Sequence, residues 1–136
     1  MAIVEQLIRS ESNGTLSFGN YQLPEKAKVE DFPYENASYK VKTFAGMTKL
    51  EKDGAFVYES VPGTSVNEFH MCEDGVDFTV SGKEDAQLTV GVLEDSTYTV
   101  FVNGENVGEM KTNMSGKLSI SVELGEGTEV SVKITK

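Results

Sequence analysis

Apolar and polar residues alternate most regularly in the last third of the chain, residues 98–134. The alternating runs are separated by Asn103-Gly104, Ser115-Gly116 and the Gly-Glu-Gly of residues 125–127. A period of two gives a strand one buried and one exposed face, and short Gly-containing segments connect antiparallel strands. This stretch therefore predicts antiparallel strands joined by short turns. The buried faces expected for its last two strands contain Leu118, Ile120, Val122, Leu124, Val130, Val132 and Ile134.

Two-residue turns at Asp53-Gly54, Asp74-Gly75 and Asn103-Gly104 are the strongest short-range hairpin signals. A turn of this kind fixes which residues face one another in the flanking strands. The apolar pairs expected from these turns are Leu50 with Val57, Met71 with Phe78, Phe69 with Val80, and Val100 with Val107.

The first half of the chain is less regular. Residues 3–8 have apolar positions at helical spacing, but the hairpin signal Asn13-Gly14 that follows favours a short, irregular strand. Residues 22–36 lose the alternation and contain Pro33, so they are expected to form a long surface connection. Residues 61–64, with the sequence VPGT, predict a type II turn.

The whole pattern predicts an all-β protein with about nine to ten short strands and no long helix. We expect an antiparallel β-sandwich in preference to a barrel, because strands with one apolar face are covered when two sheets pack together. Jelly-roll and immunoglobulin-like connections both remain open. Residues 1–136 are interpreted as a single domain, since no linker, repeat or low-complexity tract divides them.

Composition indicates the cellular compartment in which the protein is expected. The chain has 136 residues and one cysteine, Cys72, which excludes an internal disulfide framework and suits a reducing compartment. The N-terminal residues lack the uninterrupted apolar run of a secretion signal or a membrane span. We therefore expect a cytoplasmic protein that does not enter a membrane.

The formal charge of −10 makes nucleic acid an unfavourable partner, because acidic surfaces repel a phosphate backbone. An acidic surface attracts basic proteins, although it also serves solubility. A protein partner or self-association is therefore expected more readily than a nucleic acid.

Few residues suggest catalysis or metal binding. His70 and Cys72 lie two positions apart on one predicted strand, but no third group is evident to orient them, and two ligands do not complete a zinc site. Acidic residues near turns, Asp53, Asp74, Asp77, Glu94 and Asp95, do not form a D-x-D-x-D-G calcium loop. We therefore predict no catalytic residue, no metal and no cofactor.

Aromatic side chains are the remaining candidates for ligand binding. The chain has no Trp; Tyr21 immediately precedes the irregular residues 22–36, and Tyr34 lies near their end. Exposed rings in such a connection can stack on sugars or other planar groups. Tyr21 and Tyr34 are therefore the candidate ligand-binding residues.

Several segments carry a resemblance to known proteins: GTLSFGNYQL, YKVKTF, FVYESVPGT, VNG-x-x-VG-x-MKTN and GKLSISVELG. Together they resemble a group of short clostridial, hence bacterial, proteins labelled endosialidase. The label implies a glycosidase that cleaves polysialic acid. Sialidases hold the substrate carboxylate with several arginines, whereas this chain has only Arg9, so no catalytic residue is carried over.

The last third is also similar to accessory β-sandwich modules of carbohydrate-active enzymes. That resemblance implies a small carbohydrate-binding module. The residues themselves favour a non-catalytic module that acts in protein interaction or assembly, because edge strands can extend a sheet into a partner. Carbohydrate binding is the alternative, and the glycosidase is implied only by the label.

Overall fold

A computed structural model describes residues 3–136 as two antiparallel sheets that contain thirteen strands and no helix. The strands are β1 (Ile8–Ser10), β2 (Leu16–Phe18), β3 (Ala27–Tyr34), β4 (Ala37–Phe44), β5 (Met47–Lys52), β6 (Ala55–Val61), β7 (Ser65–Cys72), β8 (Gly75–Ser81), β9 (Ala86–Gly91), β10 (Thr97–Val102), β11 (Glu105–Lys111), β12 (Lys117–Val122) and β13 (Glu129–Thr135).

The two sheets form the β-sandwich that the sequence predicts. The seven-stranded sheet has the order β1-β2-β7-β8-β13-β10-β11, and the six-stranded sheet has the order β12-β9-β6-β5-β4-β3. The strand number expected from the sequence was too low. Part of the excess is β3, which lies where a surface connection was expected.

The inward faces of the two sheets meet in a core with an aromatic centre. Phe18 lies edge-on to Tyr58 and Phe69, with ring centroids 5.3 and 5.6 Å apart. Phe69 stacks on Phe78 at 5.5 Å. The predicted alternation of β12 and β13 is confirmed, since their apolar residues are buried and the residues between them are exposed.

The expected surface connection at residues 22–36 is wrong, because eight of these residues form β3. Pro33 is accommodated since β3 is the last strand of its sheet, where a missing N–H does not interrupt pairing on both sides. The pairing with β4 is broken between Val29 and Phe32, and Asp31 has a φ of 58°. This bulge hides the alternation in the sequence.

Two predicted turns are confirmed, but their registers are wrong by one residue. Asp53-Gly54 and Asn103-Gly104 each connect two strands as expected. Beyond each turn a bulge leaves one valine without a partner, Val57 in one hairpin and Val107 in the other. Leu50 therefore faces Tyr58, and Val100 faces Gly108.

The hairpin predicted at Asp74-Gly75 turns one residue earlier, at residues 73–74, so the expected partners of Met71 and Phe69 are wrong. Cys72 pairs with Gly75, and Met71 faces Val76 instead of Phe78. Gly75 is the first residue of β8 and has a φ of 151°, and a Cβ there would lie 1.8 Å from the Ile134 carbonyl oxygen. This glycine is required by the close approach of β13, not by the turn.

The type II turn expected at residues 61–64 is also wrong. The Val61-Pro62 peptide is cis, and Gly63 is not among the glycines with positive φ. A Cβ on Gly63 would lie 1.9 Å from the Phe44 carbonyl oxygen. The proline-glycine pair therefore serves a close backbone contact at the crossing from β6 to β7.

Chain connections in the last third differ from simple consecutive hairpins. β10 and β11 form a hairpin, but β12 belongs to the other sheet and β13 returns to the first. Residues 112–116 and 123–128 therefore cross between the sheets. The sequence predicts turns at these places without specifying which sheet receives the next strand.

Replacing Gly75 by alanine tests the close approach of β8 and β13. We expect Gly75→Ala to lower the free energy of unfolding by about 2 kcal/mol or more, since the new Cβ combines a backbone clash with an unfavourable φ. Urea denaturation measures the change. Gly125→Ala is the matched control, because nothing lies within 4 Å of its added Cβ. Equal stability of the two variants would contradict this explanation.

Candidate functional site

The most deeply buried polar cluster is a network of hydroxyl groups where the chain crosses from β6 to β7. The Thr64 hydroxyl is 2.8 Å from both the Tyr58 and the Ser60 hydroxyls. Thr48 donates to the Thr64 carbonyl at 2.7 Å and lies 2.8 Å from the Thr43 hydroxyl. All five side chains have partners, so this network is best explained as a structural one.

Burial raises the pKa of four tyrosine side chains, Tyr21, Tyr34, Tyr39 and Tyr58, and most strongly those of Tyr39 and Tyr58. The pKa of Tyr58 is raised by burial, which disfavours the phenolate, against the opposing effect of its hydrogen bonds with Thr64 and Ser60. Burial is also the main cause that raises the pKa of Tyr39 to about 12, with smaller contributions from Tyr34, Glu35 and Asp53. These phenols remain neutral at physiological pH.

The two candidate ligand-binding tyrosines lie in different surroundings. Tyr21 is only 2% exposed, so the expectation of an exposed ring is wrong there. Tyr34 is half-buried, with its ring edge-on to Tyr39 at 5.5 Å. Its hydroxyl donates to the Gly14 carbonyl oxygen at 2.6 Å. Tyr34 therefore fastens β3 to the β1–β2 hairpin of the other sheet.

The other residues considered from the sequence do not converge. His70 and Cys72 are exposed on β7, and no hydrogen bond between them is present in the described part of the chain. Across residues 3–136, no group of three or more His, Cys, Asp or Glu is arranged to hold a metal ion. In the same residues, no helix has the length and apolar character needed to cross a membrane.

A polar cavity of about 450 Å³ lies beside β1 and β7 and contains Arg9, Glu11 and Glu68. Glu11 accepts hydrogen bonds from Ser17 and from Arg9, and the Ser17 bond is the main cause that lowers the pKa of Glu11. Glu68 accepts from Asn13 at 3.1 Å. These carboxylates already have partners within the protein.

The four strands at the sheet edges differ in how easily another strand can pair with them. β1 has three residues, β3 contains Pro33 and a bulge, and β11 contains a bulge and Gly108 with a φ of 123°. Short length, proline and bulges are the usual ways in which proteins block their edges. β12 has none of these features.

Regular pairing extends along the whole of β12. Its six residues face six residues of β9 without a break in register. The Val92 N–H donates to the Gly116 carbonyl oxygen, which puts the hydrogen-bonded pairs at even-numbered positions of β12. The backbone N–H and C=O groups of Lys117, Ser119 and Ser121 therefore point away from β9, towards the open side of the sheet.

An open groove of about 570 Å³ separates the β12 edge from β10 and β11 of the other sheet. Val107 is 53% exposed beside it, and Met110 is half-buried. The groove is lined by Val100, Val102, Asn103, Val107, Met110, Ser119, Ile120, Ser121, Val122, Glu123 and Val130. An unpaired strand edge and an apolar groove thus lie together on one side of the sandwich, which makes this side the candidate functional site.

Comparison with family models, curated proteins and solved structures found no match to this chain. The candidate site therefore rests on its geometry. Sequence reasoning identified β12 as a strand but not as an open edge. The signal available in the sequence is the absence of Pro, Gly, Asn and Asp from KLSISVE, whereas its place at the edge depends on strand order.

Thr64→Val tests the hydroxyl network. The substitution keeps the shape of the side chain but removes the hydroxyl that the Tyr58 and Ser60 hydroxyls both contact. We expect a loss of about 2–4 kcal/mol in the free energy of unfolding, because buried polar groups lose a partner. Tyr58→Phe removes one hydroxyl and its need for a partner together, so a loss of about 1 kcal/mol is expected. A larger loss for Tyr58→Phe than for Thr64→Val in urea denaturation would contradict the network.

The raised pKa values of Tyr39 and Tyr58 predict a loss of stability at alkaline pH. A phenol whose pKa is higher in the folded than in the unfolded protein contributes its full stability below the unfolded value, 10.0. That contribution is lost as pH rises from about 10 through the folded pKa, which is about 12 for Tyr39. Urea unfolding between pH 9 and 12 should show a flatter pH dependence for Tyr39→Phe than for the parent protein. Identical slopes would exclude Tyr39 as a source of this dependence.

Proposed function

We propose that this protein is a non-catalytic module for protein interaction or assembly, and that it binds an extended strand along β12. The single observation that carries the proposal is the contrast among the four edges, of which only β12 is both longer than three residues and free of bulges and proline. Proteins rarely leave such an edge open without a use for it.

Strand addition fits the chemistry of this side. The outward-pointing backbone groups of Lys117, Ser119 and Ser121 supply main-chain hydrogen bonds, which give affinity in this mode of recognition. The apolar groove beside them receives alternate side chains of the incoming strand, which gives specificity. Cytoplasmic location, supported by the single Cys72, is part of the same proposal.

Carbohydrate binding has less support. A stacking platform for sugars needs exposed ring faces, whereas Tyr21 is buried and Tyr34 packs against Tyr39. A sialic-acid glycosidase has less support again, since Arg9 is the single arginine and its guanidinium is paired with Glu11 at 2.9 Å.

A capped, uncharged peptide, Ser-Val-Thr-Val-Thr-Val-Ser, tests strand addition at β12. We expect its titration to shift the NMR amide signals of Lys117, Ser119 and Ser121, because their N–H groups point towards the added strand. Ser119→Pro should abolish the shifts by removing one donor and blocking the ladder. Ser119→Ala is the matched control and should retain them, because its backbone N–H is intact.

Circular dichroism is used to check that Ser119→Pro is folded. Shifts that occur on β3 or β11 instead of β12, or shifts that survive in the proline variant, would contradict the proposal. In protein that is monomeric at the concentration used, a peptide that causes no shift anywhere, even at millimolar concentration, would also contradict it.

A further inference from the structure

We infer that the strand bound along β12 is β12 of a second copy of this chain, in an antiparallel pair with a twofold axis at Ile120. The inference rests on the proposed function, because it requires β12 to accept a strand. It identifies the partner by the side chains and backbone groups that β12 itself carries.

Residues 117–123, KLSISVE, are complementary to themselves in the antiparallel direction. With Ile120 facing its own counterpart, Ser119 faces Ser121 and Leu118 faces Val122 of the second copy. At the two ends Lys117 faces Glu123. Apolar residues thus face apolar residues, hydroxyls face hydroxyls, and opposite charges face each other, which are the pairings that stabilise antiparallel strands.

Backbone geometry permits this register. The outward-pointing N–H and C=O groups of β12 belong to its odd-numbered residues, as the Val92–Gly116 hydrogen bond establishes. In the symmetric register, Ser119 of one copy faces Ser121 of the other, and both have outward-pointing groups. Each such pair can exchange two N–H···O bonds. The two six-stranded sheets then become one continuous sheet.

Side-chain placement on the two faces also fits a second copy. Lys117, Ser119, Ser121 and Glu123 are exposed, so their polar partners remain on a solvated face. Leu118, Ile120 and Val122 face inward and are buried in their own copy, so the inward apolar face of one sheet continues into that of the other. The solvated face and the apolar face of one sheet therefore each continue as the same kind of face in the second copy.

The net charge of −10 opposes self-association, but its effect is local at physiological salt. Charges farther apart than about 8 Å are largely screened there, so the groups that face each other across β12 dominate. The Lys117 ammonium lies over the Phe56 ring at 4.4 Å and must leave it to meet Glu123. The two interactions are comparable in size, so the charge pair selects the register more than it strengthens the dimer.

Charge exchange between Lys117 and Glu123 tests this register. Lys117→Glu places glutamate opposite glutamate at both ends of the pair, and Glu123→Lys places lysine opposite lysine. We expect sedimentation equilibrium to show a dimer for the parent protein and a dissociation constant raised about tenfold or more in each single variant. The double variant K117E/E123K restores opposite charges and should restore the dimer.

Mixing the two single variants provides a stricter test. A heterodimer of Lys117→Glu with Glu123→Lys has opposite charges at both ends, so the equimolar mixture should dimerise more tightly than either variant alone. Lys28→Glu on β3 is the matched control, since it makes the same charge change at the other edge of the same sheet and should leave the dimer intact.

A parent protein that remains monomeric at millimolar concentration would overturn the second copy as the partner. So would a dimer that is unaffected by Ser119→Pro and by both charge reversals. The uncharged peptide distinguishes these results from failure of strand addition itself. If the peptide still shifts the β12 amides of a monomeric protein, strand addition survives with another partner, and if it does not, both ideas fail.

Discussion

The sandwich depends on a buried hydroxyl network at the point where the chain passes from one sheet to the other. Thr48, Tyr58 and Thr64 have no access to water there, so each polar group needs a partner within the protein. The positions of β5, β6 and the start of β7 are therefore fixed relative to one another by directional bonds. Apolar packing alone is less selective, since it tolerates small displacements between sheets.

The edges of the two sheets are connected on one side of the sandwich and separated on the other. On one side, the Tyr34 hydroxyl joins β3 to the hairpin at Gly14, so the sheet edges are held together. On the other side, β11 and β12 are separated by an apolar groove, and β12 presents a regular row of backbone donors and acceptors. The open side is therefore the one at which strand addition is proposed.

The local pattern of apolar and polar residues was sufficient to predict most of the strands, but not which residues pair between them. The alternation of β12 and β13 predicted their buried faces because period two depends only on neighbouring residues. Val57 and Val107 were placed in the wrong register since a bulge inserts a residue without changing the apolar pattern. β3 was missed because Pro33 is acceptable only in an edge strand, and the sequence does not show that β3 is one. The burial of Tyr21 was not predicted because it depends on segments distant in sequence. The candidate site is an edge, and edges are defined by strand order, which no local pattern contains.

The irregular β3 has a consequence for the size of any assembly built through β12. β12 and β3 are the two ends of the same sheet, so a sheet joined at β12 terminates at β3 in each direction. Pro33 and the kink at Asp31 make those termini poor templates for another chain. Sheet extension through β12 therefore stops at a pair of molecules. A closed pair of this kind gives a symmetric complex, whereas a sheet that could extend at both ends would give a fibre.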